Sequence, residues 1–324
     1  MNRRETLILL NAAGAAALCA APALLHAQTR TLRLVVPFPA GGATDITART
    51  LAEPLGRELG MTVVVDNRAG AGGSIGMTEV ARAAGDGLTL GLATLSTHGV
   101  NPAVYRKLPY DAVKDFAPVT QLVKAPGVLV VSASLQVNSF ADFVKLLKAK
   151  PGQLSYASAG NGTISHMWAE LFKSSTGTFM VHIPYRGAAP AMTDVMSGQV
   201  AAYFDQVASS LPHIKSGRLR PLAVSWPTRL PMLPDVPTFA EMGLLNNNAP
   251  SWFGLVAPVS TPAALVRKIQ TAVVAVLRDA QVTERLLAQG LFPSPTEPQE
   301  FGALIQREIE RFAEVSKFAK ITLD

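Results

Sequence analysis

Two glycine-rich turns, each leading from a short strand into a helix, constrain this chain more than any other feature of its sequence. The first is Pro37-Phe38-Pro39-Ala40-Gly41-Gly42-Ala43-Thr44-Asp45, and the second is Ser158-Ala159-Gly160-Asn161-Gly162-Thr163-Ile164-Ser165-His166. Glycine lets backbone approach a ligand closely. The free N–H groups and positive dipole end of the following helix favour an anion. In an α/β sheet such turns lie at the carboxyl ends of strands, where ligands bind. A single turn of this kind is equally well explained by structure, because Thr44, Asp45 and Thr163 are ordinary capping residues. Two of them in matching places, one in each half, point to a site.

The surrounding pattern supports two α/β halves. Thr31 to Pro37 reads as a strand, Thr44 to Leu59 as a helix with apolar residues at Ile46, Leu51, Leu55 and Leu59, and Thr62 to Val65 as a strand. A Gly-rich stretch from Asn67 to Gly76, a helix from Ile75 to Ala84 and a strand from Leu88 to Ala93 follow. Strand and helix alternating in this way argue for a parallel sheet. The second half repeats the scheme. Strands fall at Val128–Val131, Leu154–Ala157, Phe179–Ile183 and Val200–Phe204, with helices at Ser139–Lys150, Thr163–Ser174, Pro190–Ser197 and Ser210–Ser216. Leu222 to Ser225 is a returning strand, and a capped segment lies near Thr238–Met242 after a proline-rich loop. Pro262–Leu277 and Gln299–Phe318 are amphipathic helices. The layout is a hinged clamshell with crossings between Thr94 and Val119 and near Leu222.

At 324 residues the chain exceeds what one core usually organises. Residues 1–27 read as a secretory signal peptide. Arg3 and Arg4 give a basic start, Leu7 to Leu25 is apolar and rich in small residues, Gln28 resumes polar character, and cleavage falls after Ala27 or after Ala23. Cys19, the one cysteine, falls inside it, so the exported chain has no disulfide and no thiolate chemistry. The formal charge is +6, about +5 once Arg3, Arg4 and Glu5 leave, and its basic residues form no run. Nucleic-acid binding is therefore not expected.

Enzymatic patterns are missing. Gly160-Asn161-Gly162 begins like a dinucleotide fingerprint, but Ser165 takes the place of the third glycine. No Walker lysine and no G-x-S-x-G elbow occurs. The histidines have no metal-ligand spacing with carboxylates, so no metal, cofactor or catalytic residue is expected. His166, one turn into the second helix, can reach the cleft, although a solitary histidine more often packs. Asp205 ends a strand at the cleft mouth, or else caps the helix around Ser209.

PFPAGGATDITAR (37–49), NRAGAGGSIG (67–76), YASAGNGTISH (156–166), HIPYRGAAPA (182–191) and LPDVPT (233–238) together resemble the Bug, or TctC-type, receptors of tripartite tricarboxylate transporters, in the family's order over the whole exported chain. The resemblance implies a two-lobe periplasmic-binding-protein (Venus-flytrap) fold, α/β, each lobe a mixed, mostly parallel sheet flanked by helices. It also implies a periplasmic monomer that captures a small carboxylate and delivers it to transporter membrane subunits. Residues 28–105 with 223–324 would form one lobe and 106–222 the other. Carried over by position, the ligand would meet Phe38, Pro39, Ala40, Gly41, Gly42, Ala43 and Thr44, then Ala71, Gly72, Gly73, Ser74 and Thr94. From the second lobe it would meet Ser158, Ala159, Gly160, Asn161, Gly162, Thr163 and Asp205. Arg186 departs from the family, where Lys is commoner. A periplasmic sensor for a signalling partner, or a hydrolase or transferase acting on a carboxylate, are the other readings.

Overall fold

The computed structural model describes residues 30–319 and 321–323; the expected signal segment lies outside them. β1 (Thr31–Val36), α1 (Ala43–Leu59), β2 (Thr62–Asn67), α2 (Ser74–Ala81) and β3 (Thr89–Thr94) come first. A π-helical turn, Ser96–Val100, leads into the short α3 (Asn101–Val104) and then β4 (Phe116–Ala125). The middle of the chain forms β5 (Gly127–Ser132), α4 (Phe140–Ala149), β6 (Ser155–Ser158), α5 (Ile164–Thr176), β7 (Val181–Pro184), α6 (Ala188–Met196), β8 (Ala202–Gln206), α7 (Val207–Lys215) and β9 (Leu219–Ser225). The chain closes with β10 (Ser251–Pro258), α8 (Ala263–Arg278), α9 (Ala280–Ala288), β11 (Phe292–Pro293) and α10 (Pro298–Ala319).

These strands make two sheets with one plan. The first has the order β11-β4-β10-β3-β1-β2 and the second β7-β6-β8-β5-β9. In the first, β1 pairs parallel with β2 and β3, and β10 runs antiparallel to β3 and β4. In the second, β6 pairs parallel with β7 and β8, and β5 runs antiparallel to β8 and β9. Each sheet thus joins a parallel set to an antiparallel pair, and the chain changes sheet inside those pairs. β4 passes to β5 through Pro126, and β9 returns to β10 through residues 226–250.

The sequence pattern predicts the first change of lobe at residue 105, whereas sheet membership changes between Ala125 and Gly127. β4 is hard to see because Pro118 interrupts it and buried polar Thr120 and Gln121 break its apolar pattern. α9 has no counterpart in the sequence reading. The segment at Thr238 is a turn, in which Thr238 Oγ1 accepts from the Glu241 N–H (3.1 Å) and Glu241 Oε2 accepts from the Thr238 N–H (2.7 Å).

Local chemistry fixes most other boundaries. β5 is apolar on both faces because helices cover both sides of its sheet, and β1 departs from this at Arg33, which pairs with Glu79 and Asp66. Ser139 opens α4 by accepting from the Asp142 N–H at 3.1 Å. One face of the first sheet packs Leu34, Leu92 and Leu255 against Leu55 of α1 and Ile269 and Val273 of α8. Each such burial contributes roughly 1.5–3 kcal/mol. Another core, with Met77, Phe116, Phe172, Phe204 and Phe312, runs through both lobes.

Candidate functional site

The first glycine turn is held from behind. β1 ends at Val36, just before Pro37, and α1 starts from Gly42, whose backbone is extended and supplies no side-chain cap. Asp45 Oδ2 accepts from the Gly41 N–H at 3.0 Å, and both carboxylate oxygens accept from Arg49 Nε at 2.9 and 3.0 Å. Asn67 Nδ2 donates to Asp45 Oδ1 (3.0 Å) and to the Phe38 carbonyl (2.9 Å). Burial pushes the Asp45 carboxyl up, but the bonds from Arg49, Gly41 and Asn67 outweigh it and hold the group below its usual value. Asp45 is a frame for the turn.

The second turn is framed by neutral imidazoles. Ser158 Oγ lies 2.6 Å from His182 Nε2 and accepts from the Gly160 N–H at 3.2 Å. His166 Nδ1 accepts from the Gly162 N–H at 3.4 Å, which makes Nδ1 the lone-pair nitrogen. The His166 and His182 rings stack at 4.2 Å, with Tyr156 stacked on His182 at 4.8 Å. Burial lowers both histidines, His182 to about 3. The Ser158–His182 pair has the look of an activated nucleophile, but Ser158 is wholly buried and lies outside the cavity lining.

Between the turns is a narrow cavity of about 30 Å³. It is lined by Phe38, Pro39, Gly42, Ala43, Thr44, Thr94, Ser96, Ala159, Thr163, Ile164, Ser165, Ala188, Gln206, Ser251 and Phe253. None of these side chains is charged. The N-termini of α1, α5, α6 and α7 meet here through Gly42, Thr163, Ala188 and Gln206, and none of these helices is capped by its N-cap side chain. Ser251 Oγ is buried without a hydrogen-bond partner. A second space, about 250 Å³, forms the mouth, lined in part by Phe38, Pro39, Ala71, Gly72, Gly73, Tyr105, Ala159, Gly160, Asn161 and Gly187.

Of the residues singled out in the sequence, Phe38, Pro39, Gly42, Ala43, Thr44, Thr94, Ala159 and Thr163 line the cavity, and Ala71, Gly72, Gly73, Gly160 and Asn161 line the mouth. Ala40 and Gly41 are exposed to solvent and line neither space. Ser74 is buried at the start of α2. Gly162 packs on Tyr105, whose ring would lie 2.6 Å from an added Cβ. Ser158 and His166 sit behind the turn. Asp205 is corrected from the mouth to the interior. It is fully buried, and its Oδ2 accepts from the hydroxyls of Ser209 (2.5 Å) and Ser210 (2.8 Å), so it braces α7. Burial raises its carboxyl above the usual value. Its neighbour Gln206 is the one that reaches the cavity. Ser96, Ser165, Ala188, Ser251 and Phe253 were not singled out. Ser165 shares the second turn with residues that were, whereas Ser96, Ala188, Ser251 and Phe253 reach the cavity through strand order.

Among the described residues no group of three or more His, Cys, Asp or Glu could hold a metal, and no helix is long and apolar enough to cross a membrane.

The family model for the tripartite tricarboxylate transporter family receptor matches residues 47–320. Protein BugT of Bordetella pertussis is 37% identical over 319 residues, spanning 97% of this chain and 97% of that protein. The solved structure of R. palustris Rpa4515 with adipate is 37% identical with a TM-score of 0.88, covering 91% of this chain and 99% of that one. MatC from Rhodopseudomonas palustris with bound malate is 33% identical with a TM-score of 0.84, covering 89% and 99%. The mouth also carries Arg186, while the inner cavity has no charged side chain. Sequence and fold agree, and the chain belongs to the tripartite tricarboxylate transporter receptors, a family of solute-binding receptors and not of enzymes.

Proposed function

We propose that this chain is a periplasmic monomer that closes on a small organic carboxylate and passes it to the membrane subunits of a tripartite tricarboxylate transporter. One observation carries the reading: the N-termini of α1, α5, α6 and α7 converge on a cavity with no charged side chain. Each helix end presents about half a positive charge and free N–H donors. A carboxylate is held there without a guanidinium, and release does not require breaking a buried ion pair. The adipate and malate of the two solved relatives are both dicarboxylates, which supports that ligand class here. Export through residues 1–27 places the receptor where a transporter meets its solute.

The ligand-binding set in this reading is Phe38, Pro39, Gly42–Thr44, Ala71–Gly73, Thr94, Ala159–Asn161 and Thr163, extended by Ser96, Ser165, Gln206 and Ser251. The test is a thermal-shift series on residues 28–324 with acetate, malate, adipate, citrate and the corresponding amides. A carboxylate at a hundred times its Kd stabilises by about 2.7 kcal/mol. No shift with any carboxylate, or an equal shift with the neutral amides, overturns the reading.

A further inference from the structure

The helix that opens the second lobe's site is capped from the other lobe. Thr163 occupies the N-cap position of α5 but makes no side-chain cap bond. Its Oγ1 donates instead to the Gly160 carbonyl at 2.7 Å and lies 2.9 Å from Ser165 Oγ. The Ile164 N–H, the first of the helix, donates to Ser96 Oγ at 2.9 Å, across 68 positions of sequence. Ser96 belongs to the first lobe, at the start of the π-helical turn that follows β3. It is 3% exposed and lines the cavity beside Thr94, Thr163 and Ser165. Among the described residues its hydroxyl proton is given to no acceptor.

We infer that Ser96 couples ligand binding to lobe closure, with one hydroxyl serving both events. It accepts from the α5 N-terminus of the opposite lobe and donates its proton to the ligand carboxylate. This inference rests on the carboxylate reading above. A hydroxyl that accepts from a helix-end N–H is polarised and becomes a stronger donor, and a bond from it to a carboxylate is charge-assisted. The two bonds therefore reinforce each other. When the lobes part, Ser96 leaves with the first lobe, the Ile164 N–H turns to water, and the relay is lost. A carboxylate that accepts from Ser96 thus touches both lobes through a single atom, which favours the closed form only when the ligand is present. Position 96 is a coupling residue in this scheme, distinct from the helix ends that supply the general attraction for anions.

The test compares wild type with Ser96→Ala, which removes one oxygen atom and leaves packing intact. Amide hydrogen exchange at Ile164 and the affinity and dissociation rate for acetate, malate, adipate and citrate are measured on both. The expected result is that the bound carboxylate slows Ile164 exchange in wild type and not in Ser96→Ala. Affinity falls about tenfold to a hundredfold, mostly through faster dissociation. Protection at Met167, deeper in the same helix, stays the same in both and reports that the helix is intact. Equal Ile164 protection in the two proteins, or affinities within about twofold, overturns the inference. If wild type binds no member of the series, the carboxylate reading falls by itself. Ile164 exchange in the ligand-free proteins then decides the cross-lobe cap, and equal rates overturn it.

Discussion

Ser158 Oγ lies 2.6 Å from His182 Nε2, so the floor of the second glycine turn hangs on a neutral imidazole. The same ring is sandwiched between His166 and Tyr156. Protonating it would strip the lone pair it needs if Ser158 is the donor, and would place a cation against His166 and near Lys173, both of which already lower its affinity for a proton.

The first prediction is acid sensitivity above the carboxylate range. Burial lowers His98 and His182 to about 3, and lowers His166 as well. Above about pH 6.5 both folded and unfolded chains carry neutral histidines, so there is no penalty. Between about 6.5 and 3 only the unfolded chain takes the proton, and stability falls as pH falls. Below about 3 the folded form protonates too and the decline from these groups ends. His98, fully buried, contributes about 1.4 kcal/mol per pH unit; His182, partly open to water, contributes less. Chemical denaturation at pH 7, 6, 5 and 4 measures it, and a flat stability between pH 6 and 5 contradicts it.

The second prediction concerns Asp45, which is 4% exposed and holds Gly41, Asn67 and Arg49 together. Asp45→Ala leaves those donors unsatisfied and should cost about 1–3 kcal/mol, with weaker carboxylate binding because the Gly41–Gly42 turn is no longer fixed. Its folded carboxyl titrates below 3.8, so its contribution is complete above that pH and is lost as pH falls through the lower folded value. Urea unfolding of wild type and variant at pH 7 and pH 3 gives the comparison. A gap that does not narrow at pH 3 counts against the assignment.

Both turns were legible because everything that makes them is local: a strand, glycines, and a helix in the right phase. The parallel sets β2-β1-β3 and β7-β6-β8 follow from that alternation. Ser96, Gln206, Ser251 and Phe253 were not legible as a group, since only the antiparallel insertions of β10 and β5 bring them beside the turns. Asp205 shows the limit most clearly. Its place at a strand end was read correctly, but which of Asp205 and Gln206 faces the cleft depends on the turn into α7, and the carboxylate turned inward to Ser209 and Ser210.

The third prediction uses a close approach of the two lobes. Gly187 has a φ of +107°, and a Cβ there would stand 2.5 Å from Pro39 Cδ on the opposite turn. Gly187→Ala should keep the fold at a cost of roughly 1–2 kcal/mol for the backbone and lose carboxylate affinity by tenfold or more, about 1.4 kcal/mol. Gly217→Ala is the control: its φ is +71° with nothing within 4 Å of the added methyl. It should show the same order of stability loss with affinity unchanged. Equal affinity in both variants would mean that binding does not need this approach of Pro39 and Gly187.

The fourth prediction turns on Ser251, whose hydroxyl is 1% exposed and has no partner. An unsatisfied buried hydroxyl costs free energy, so removing it should not destabilise the ligand-free protein. Ser251→Ala is expected to unfold within about 0.5 kcal/mol of wild type, or to be stabilised by about 1 kcal/mol. In the proposed carboxylate complex the same hydroxyl gains an acceptor, so the variant should bind several-fold less tightly while being no less stable. That combination separates a ligand contact from a packing residue, because a packing residue loses stability first and affinity only in consequence. Calorimetric unfolding and titration of the same preparations decide between them, and a ligand-free variant destabilised by more than about 1 kcal/mol would show that the hydroxyl has a structural partner after all.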